Sequence, residues 1–127
     1  DLAYRNKNGF IVLVDRKKNM IISGGENIYP SEVENILGKH NAVKDLAIVG
    51  CQDKKWGEIV CAFVILHNKM KLTEHNLIGW AKKRLASYKC PKKVFFIDDN
   101  EMPRNATGKI LHKDLRDKAN SLMKEIL

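Results

Sequence analysis

The sequence lacks long apolar runs and paired cysteines, and it has few aromatic residues. Its 127 residues include 7% aromatics, three prolines and three cysteines, while 44% are hydrophobic and 30% are charged. The longest apolar stretches, 10–14 and 59–66, have the length of strands and fall well short of the roughly 20 residues that span a bilayer. We therefore predict an ordinary globular composition of one-domain size, with no transmembrane segment.

The cysteines and histidines do not form metal-binding or disulfide patterns. Cys51, Cys61 and Cys90 contain no CxxC pair, and an odd number cannot all be bridged within one chain. Because Cys51 and Cys61 lie in apolar segments, we expect buried thiols in a reducing compartment. The four histidines are scattered, without the i, i+4 pairing typical of metal ligands. We predict no metal site in this chain.

The chain is basic, with a net charge of +8 from 23 Lys and Arg against 15 Asp and Glu. Such a charge favours an anionic partner, namely nucleic acid, a nucleotide, CoA or an acidic surface, although lysines that only solvate helix faces would give the same total. A basic nucleic-acid-binding module without catalysis is therefore the alternative hypothesis. The low aromatic content and the absence of RRM-, KH- or zinc-finger-type patterns count against it.

Hydrophobic patterning predicts an α+β fold, a small α/β layer in which a sheet of about three strands has flanking helices. The predicted strands are 43–49, 58–66 and 94–97, and the predicted helices are 31–38, 73–86 and a segment from 110 onward. Ser31 with Glu34 three residues later matches a capping box, and Thr73 is a candidate N-cap for the second helix.

A β-hairpin and a hinge segment are predicted before this layer. Between Tyr4 and Val14, the turn signal at 6–9 is followed by an apolar, β-branched run, and the charged segment 15–19 then interrupts the apolar pattern. We divide the chain into residues 1–18, hairpin and hinge linker, and residues 19–127, the main domain. Residues 20–22 are strand-like, and the segment 23–26, with Gly24 and Gly25, then breaks this pattern before the first helix.

The loop 103–109, Pro-Arg-Asn-Ala-Thr-Gly-Lys, is the first candidate for chemistry. Gly108 permits close backbone approach, and the Lys109 ammonium on its flexible stem can act as a mobile point charge in a partner's active site. The loop is not a phosphate-cradling G-x-x-x-x-G-K-[ST] motif, because Pro103 precedes Gly108 by five residues and Ile110 follows the lysine. A surface turn could carry the same residues.

Three segments in order resemble adenylate-forming enzymes, the superfamily of acyl-CoA synthetases, peptide-synthetase adenylation domains and beetle luciferases. They are 15–34, 85–93 and 102–110, and the resemblance extends from residue 1 to about 118. The version Gly-Gly-Glu-Asn-Ile-Tyr-Pro at 24–30 is more similar to fatty- or aryl-acyl-CoA synthetases than to peptide-synthetase domains.

The resemblance implies the C-terminal mobile lid of an AMP-forming acid–thiol ligase. Such an enzyme converts a carboxylic acid and ATP, with Mg²⁺, to acyl-AMP and then transfers the acyl group to CoA. A large N-terminal domain, which this chain lacks, would hold most of both sites, so we expect the fragment alone to be inactive. Cysteine usage and the family together predict a cytoplasmic location.

The resemblance also implies residue roles. Asp1 corresponds to the Asp of a Thr-Gly-Asp motif that binds the ribose hydroxyls; because the Thr-Gly would precede it, we expect the chain to be a fragment. Arg16 corresponds to an arginine that contacts the nucleotide. Lys18 lies at the hinge position where backbone rotation reorients the lid. Lys109 corresponds to the lysine that bridges the substrate carboxylate and the α-phosphate.

Two further assignments concern CoA. In the family, the loop that contains Gly24 and Gly25 lines the pantetheine tunnel, although a plain turn between strand and helix would explain both glycines equally well. The basic cluster (Lys82, Lys83, Arg84, Lys89, Lys92, Lys93) is first interpreted as a solvated face, with contact to CoA phosphates as the alternative. The identity of the carboxylic acid lies outside this sequence.

Overall fold

The computed structural model describes residues 2–5, 11–15 and 19–126. The strands are β1 Leu2–Arg5, β2 Ile11–Asp15, β3 Ile21–Ser23, β4 Glu26–Ile28, β5 Val43–Asp53, β6 Gly57–Leu66 and β7 Lys93–Phe96. The helices are α1 Pro30–Leu37, α2 Glu74–Lys82 and α3 His112–Ile126, with single 3-10 turns at Ser87–Lys89 and Asp99–Glu101.

The predicted N-terminal hairpin is confirmed. Strands β1 and β2 pair antiparallel, from Arg5 opposite Ile11 to Leu2 opposite Asp15. The turn that joins them lies outside the described residues, as do positions 1 and 16–18. The division of the chain after residue 18 therefore stays a prediction.

The main sheet is built around β6. Strand β5 pairs antiparallel along the whole of β6 on one edge. On the other edge, β3 pairs antiparallel at the start of β6, where Ser23 lies opposite Gly57, and β7 pairs parallel further along, from Cys61–Lys93 to Val64–Phe96. Strand β4 extends the sheet by pairing with β3. The α+β class is confirmed, with five strands in the sheet rather than about three.

The two strands that the pattern did not count, β3 and β4, have three residues each. Such strands are too short to show the alternation over 4–8 residues that identifies a strand in a sequence. Their glycine turn also resembles a break in structure. The strand-like segment predicted at 20–22 corresponds to β3, but the sequence predicted a break at 23–26 and no second strand, whereas β4 follows the turn and pairs with β3 in a small hairpin.

The sheet carries a helix layer on each face. One core lies between the sheet and α1 and α2 and includes Ile48, Val60, Val64, Val33, Leu37, Leu77 and Ala81. The other lies between the sheet and α3 and includes Ala47, Val49, Cys61, Phe63, Leu115 and Ala119. Because β5 and β6 are covered on both faces, their sequences are almost continuously apolar. The buried thiols predicted from Cys51 and Cys61 are confirmed, and Cys90 is also buried and free.

The start of α1 differs from the prediction. Tyr29 is the N-cap and Pro30 begins the helix, so the predicted capping box from Ser31 to Glu34 is wrong. Proline fits the first helical position because it has no N–H to satisfy there. The Glu34 carboxylate instead accepts from the backbone N–H of Ile48, with Oε2 at 2.8 Å, and lies 2.8 Å from Nε2 of His112.

Side chains cover the outer edge of β5. The Glu34 carboxylate accepts a hydrogen bond from the N–H of Ile48, and the Asn120 side-chain oxygen accepts one from the N–H of Gln52 at 2.8 Å. These contacts join α1 and α3 to the strand and occupy donors that another chain could otherwise pair with. Polar side chains of two helices thus occupy two backbone donors on this edge of β5.

The second helix begins where the sequence predicted. Thr73 is its N-cap, and its hydroxyl oxygen accepts from the N–H of Asn76 at 3.1 Å. The helix ends at Lys82, earlier than predicted. Among the described residues, none of the helices combines the length and the apolar character that crossing a membrane requires.

Candidate functional site

Residues 103–111, called the Lys109 loop below, rise from the core just before α3. Met102 is buried in the core on the α3 side, and Ile110 packs against the same core. A β-bridge joins Arg104 to Ile110, and the N–H of Leu111 donates to the carbonyl of Pro103 at 2.9 Å. Both ends of the loop are therefore fixed side by side.

The interior of the loop is organised by Asn105. Its Oδ1 accepts from the N–H of Thr107 and of Lys109, both at 3.0 Å, and from the Thr107 hydroxyl at 2.7 Å. Its own N–H donates to the Lys109 carbonyl at 2.9 Å, and its carbonyl accepts from Gly108. Gly108 has a φ of +88°, which a side chain would strain. These residue types therefore specify one loop conformation.

Arg104 ties the loop to the sheet. Its Nη2 lies 2.8 Å from Asp45 Oδ2 in β5 and 3.5 Å from Asp99 Oδ1, and its Nη1 donates to the Gly108 carbonyl at 3.2 Å. Lys44 Nζ lies 2.8 Å from Asp99 Oδ2. The hydrogen bond to Asp45 raises the pKa of Arg104, and the hydrogen bond from Lys44 lowers the pKa of Asp99.

Sequence reasoning missed this network. Asp45 and Arg104 are 59 positions apart, and no spacing pattern links them. The motif predicts a role for Lys109, because a cation that follows a glycine can be recognised in a sequence. The contacts of Arg104 with Asp45 and Asp99 cannot be recognised in this way.

The Lys109 side chain itself is exposed. Within the described ranges, the Lys109 ammonium forms no ion pair with a carboxylate and donates no hydrogen bond. Its backbone is held by the loop while its charge faces solvent. This arrangement presents a cation that an anionic group outside the domain can reach.

The predicted glycine turn joins β3 to β4. Gly24 and Gly25 have φ of +57° and +82°, as a two-residue hairpin turn with both central residues left-handed requires. The N–H of Gly24 donates to the Trp56 carbonyl at 2.9 Å. Lys92 Nζ lies 4.0 Å from the centroid of a Trp56 ring. The turn thus rests on a partly exposed indole that carries a cation over its ring.

The glycine turn and the Lys109 loop lie at opposite ends of the sheet. Ser23 pairs with Gly57 at the start of β6, whereas Asp45, which holds Arg104, pairs with Ile65 near its end. These positions on β6 are eight residues apart, or roughly 26 Å at about 3.3 Å per residue. The structure therefore does not bring the two predicted sites together.

The basic cluster does not form one free patch. Lys89 lies 2.6 Å from Glu32, Lys93 lies 3.6 Å from Glu74, and the Arg84 guanidinium stacks 3.8 Å from a Trp80 ring centroid. These contacts divide the cluster over several surfaces. Lys92, over the Trp56 ring, is the member that adjoins the glycine turn.

Three predicted site residues, Asp1, Arg16 and Lys18, lie outside the described residues. In the described ranges, no three His, Cys, Asp or Glu side chains are grouped so that they could hold a metal ion. The residues of the chain that the structure places in a candidate site are therefore Lys109 and its loop, and the glycine turn.

Comparison with known proteins identifies the family that this chain resembles. The model of the AMP-binding enzyme C-terminal domain matches residues 32–109. The 2-succinylbenzoate–CoA ligase of Bacillus subtilis (strain 168) is 45% identical over 117 residues, which are 92% of this chain and 23% of that protein.

Solved structures agree in fold. The o-succinylbenzoate CoA synthetase (MenE) of B. subtilis, in complex with the acyl-adenylate intermediate OSB-AMP, is 43% identical with a TM-score of 0.78, covering 91% of this chain and 23% of that one. ATP-bound MatB from Rhodopseudomonas palustris is 30% identical with a TM-score of 0.87, covering 94% and 24%. The chain thus spans about a quarter of the length of these relatives. Neither they nor the family model supports the nucleic-acid alternative.

Proposed function

Because this chain belongs to the AMP-binding enzyme C-terminal domain family, we propose that it is the mobile lid of an ATP-dependent acyl- or aryl-CoA ligase. In this proposal the lid supplies Lys109 for the adenylation of a carboxylic acid and then reorients for thioester formation with CoA. The names of the relatives, a CoA ligase and a synthetase with its acyl-adenylate, support this reaction class.

The proposal is carried by the exposed Lys109 ammonium on a fixed loop, which forms no ion pair with any residue that the structure describes. In adenylation, a carboxylate oxygen attacks the α-phosphorus of ATP and pyrophosphate leaves with the electron pair of the broken P–O bond. The two reacting groups are both anionic and repel each other. A preorganised cation between them reduces this repulsion and stabilises the developing charge, an effect worth a few kcal/mol, or about 100- to 1000-fold in rate.

The separation of the two candidate sites supports a lid that acts in two poses. The positions on β6 nearest to the two sites, Gly57 for the glycine turn and Ile65 for the Lys109 loop, are roughly 26 Å apart, so the two sites are not expected to serve one reaction centre in the same pose. We propose that Lys109 faces the centre during adenylation and that Gly24 and Gly25 line the path of the pantetheine arm during thioester formation. Lys18 would be the hinge between these poses, and a moving lid of this kind can gate successive steps.

Further roles extend this proposal to the substrates. Asp1 and Arg16 would contact the nucleotide, and Lys92 would be the cluster member nearest the CoA path. Mg²⁺ would act with ATP and would be held by the rest of the enzyme. The principal partner would be the N-terminal domain of the same protein, in the cytoplasm.

The two half-reactions of the full-length protein that carries this chain test the proposal. A panel of carboxylic acids that includes 2-succinylbenzoate first identifies a substrate. Lys109→Ala should then slow pyrophosphate release at least about 100-fold while thioester formation from preformed acyl-AMP continues. Lys113→Ala is the matched control, because Lys113 is an exposed lysine four residues further on.

The same assay separates the hinge from the catalytic lysine. Lys18→Pro should spare adenylation and slow thioester formation, because a proline fixes φ at the position proposed to rotate. Equal loss of both half-reactions in Lys109→Ala would contradict its assignment, and unchanged turnover in Lys18→Pro would contradict the hinge. The 127-residue chain alone should form neither product.

A further inference from the structure

The peptide group between Gly108 and Lys109 has both of its polar atoms hydrogen-bonded to side chains. The carbonyl of this group belongs to Gly108 and accepts from Arg104 Nη1 at 3.2 Å. Its N–H belongs to Lys109 and donates to Asn105 Oδ1 at 3.0 Å. The plane of the peptide from which the lysine projects is therefore fixed by two neighbouring residues of the loop.

The next peptide group is held as well. The Lys109 carbonyl accepts from the N–H of Asn105 at 2.9 Å. The backbone of the lysine is thus bonded on both sides of its Cα, whereas its side chain extends into solvent. The Cα of Lys109 is therefore fixed in the loop, while its ammonium forms no ion pair within the described part of the chain.

The loop is connected to the sheet through Arg104. One arm of its guanidinium, Nη1, holds the Gly108 carbonyl, and the other arm, Nη2, holds Asp45 of β5 at 2.8 Å. Asp99, itself paired with Lys44, lies 3.5 Å from Nη2. Partly exposed ion pairs of this kind contribute little to stability. Their larger consequence is geometric, because they set the position of one peptide group relative to a strand of the core.

We propose that Arg104 is a positioning residue, which transmits the placement of Asp45 in β5 through the Gly108 carbonyl to Lys109. The role rests on the proposed function, since it assumes that Lys109 takes part in adenylation. Arginine is required because its planar fork reaches a carboxylate and a carbonyl at once, which the single ammonium of a lysine cannot do in the same geometry. A displacement of about 1 Å at a reacting group lowers a rate about 100-fold, so a loosened loop has a measurable effect.

The contact is tested first in the 127-residue chain, independently of any activity. Amide hydrogen exchange of Lys109, measured by NMR, should be roughly 3- to 10-fold faster in Arg104→Met than in wild type, as loss of about one hydrogen bond predicts. Arg84→Met is the matched control, because Arg84 stacks on Trp80. Unchanged exchange at Lys109 in Arg104→Met would overturn the inference.

The consequence is tested in the full-length protein by the two half-reactions. Arg104→Met should lower kcat for acyl-AMP formation about 10- to 100-fold, leave the KM values for ATP and the acid nearly unchanged, and spare thioester formation. Arg104→Lys should not restore the rate, and Asp45→Asn should reproduce part of the loss. Restoration of the rate by Arg104→Lys would overturn the positioning role, and so would equal loss of both half-reactions in Arg104→Met.

The failure of this inference is distinguishable from the failure of the proposed function. If Lys109→Ala abolishes adenylation and Arg104→Met does not slow it, the positioning role is wrong and the function stands. If Lys109→Ala leaves adenylation unchanged, the proposed function is wrong. The effect of Arg104 on catalysis is then wrong as well, even if amide exchange confirms its contact with the loop.

Discussion

Gly24 lies so close to the indole of Trp56 that a Cβ at position 24 would be 2.9 Å from Trp56 Cε3, whereas a Cβ at Gly25 would meet no atom within 4 Å. Both glycines have positive φ, which costs an L-residue about 1–2 kcal/mol. We expect Gly24→Ala to lower the free energy of unfolding by more than Gly25→Ala, because only the first also displaces the indole. Urea unfolding of the two variants measures the difference.

Gly25→Ala is also the better probe of the proposed CoA path. Its added methyl group projects into open space, so the fold changes little beyond the strain of φ. In the full-length enzyme this variant should slow thioester formation while adenylation continues.

If Gly25→Ala destabilised the domain as much as Gly24→Ala, the stability prediction would be wrong, because the contact of Gly24 with Trp56 would then add nothing to the strain of φ.

Features determined by local pattern could be predicted from the sequence. The hairpin of β1 and β2, the cap of α2 by Thr73 and the buried thiols follow from turn residues, capping chemistry and apolar context, all within a few positions. Glu34 shows the limit. Its spacing from Ser31 fits a capping box, but its carboxylate contacts Ile48 and His112, which are 14 and 78 positions away.

The candidate site shows the same division. The Lys109 loop was identified by its motif, because the residues of a loop are contiguous in sequence. Arg104 was not identified as its connection to the sheet, because the partner, Asp45, becomes a neighbour only when β5 folds beside the loop. Long-range side-chain contacts of this kind have no periodicity to detect.

Glu34 should contribute more to stability than its position on a surface helix suggests. Its carboxylate accepts from the backbone N–H of Ile48, a fully buried residue, and contacts His112 at the start of α3. Glu34→Ala leaves a backbone N–H of the β5 edge without its partner. Loss of such a contact costs about 1–3 kcal/mol. Urea unfolding at neutral pH should show this decrease.

Glu32→Ala is the matched control for that prediction. Glu32 lies two residues earlier in α1 and pairs with Lys89 at the surface, where its side chain is 44% exposed. An exposed ion pair contributes little, so this variant should unfold at nearly the wild-type urea concentration. Equal destabilisation by the two substitutions would show that the contacts of Glu34 with Ile48 and His112 are not the cause.

Asp99 should titrate below its ordinary pKa of 3.8, because the hydrogen bond from Lys44 and then the charge of Lys44 favour its carboxylate, and Arg104 adds to the effect. A carboxyl whose pKa is lower in the folded state than in the unfolded state stabilises the fold above its ordinary pKa. That contribution is lost as the pH falls through the lowered value. NMR titration of the carboxyl carbon of Asp99 in the 127-residue chain measures the shift. Lys44→Met should return the pKa most of the way toward 3.8, and Arg104→Met should return it less. If Arg104→Met had the larger effect, the guanidinium would be the dominant partner of Asp99 and the order of these contacts would be reversed.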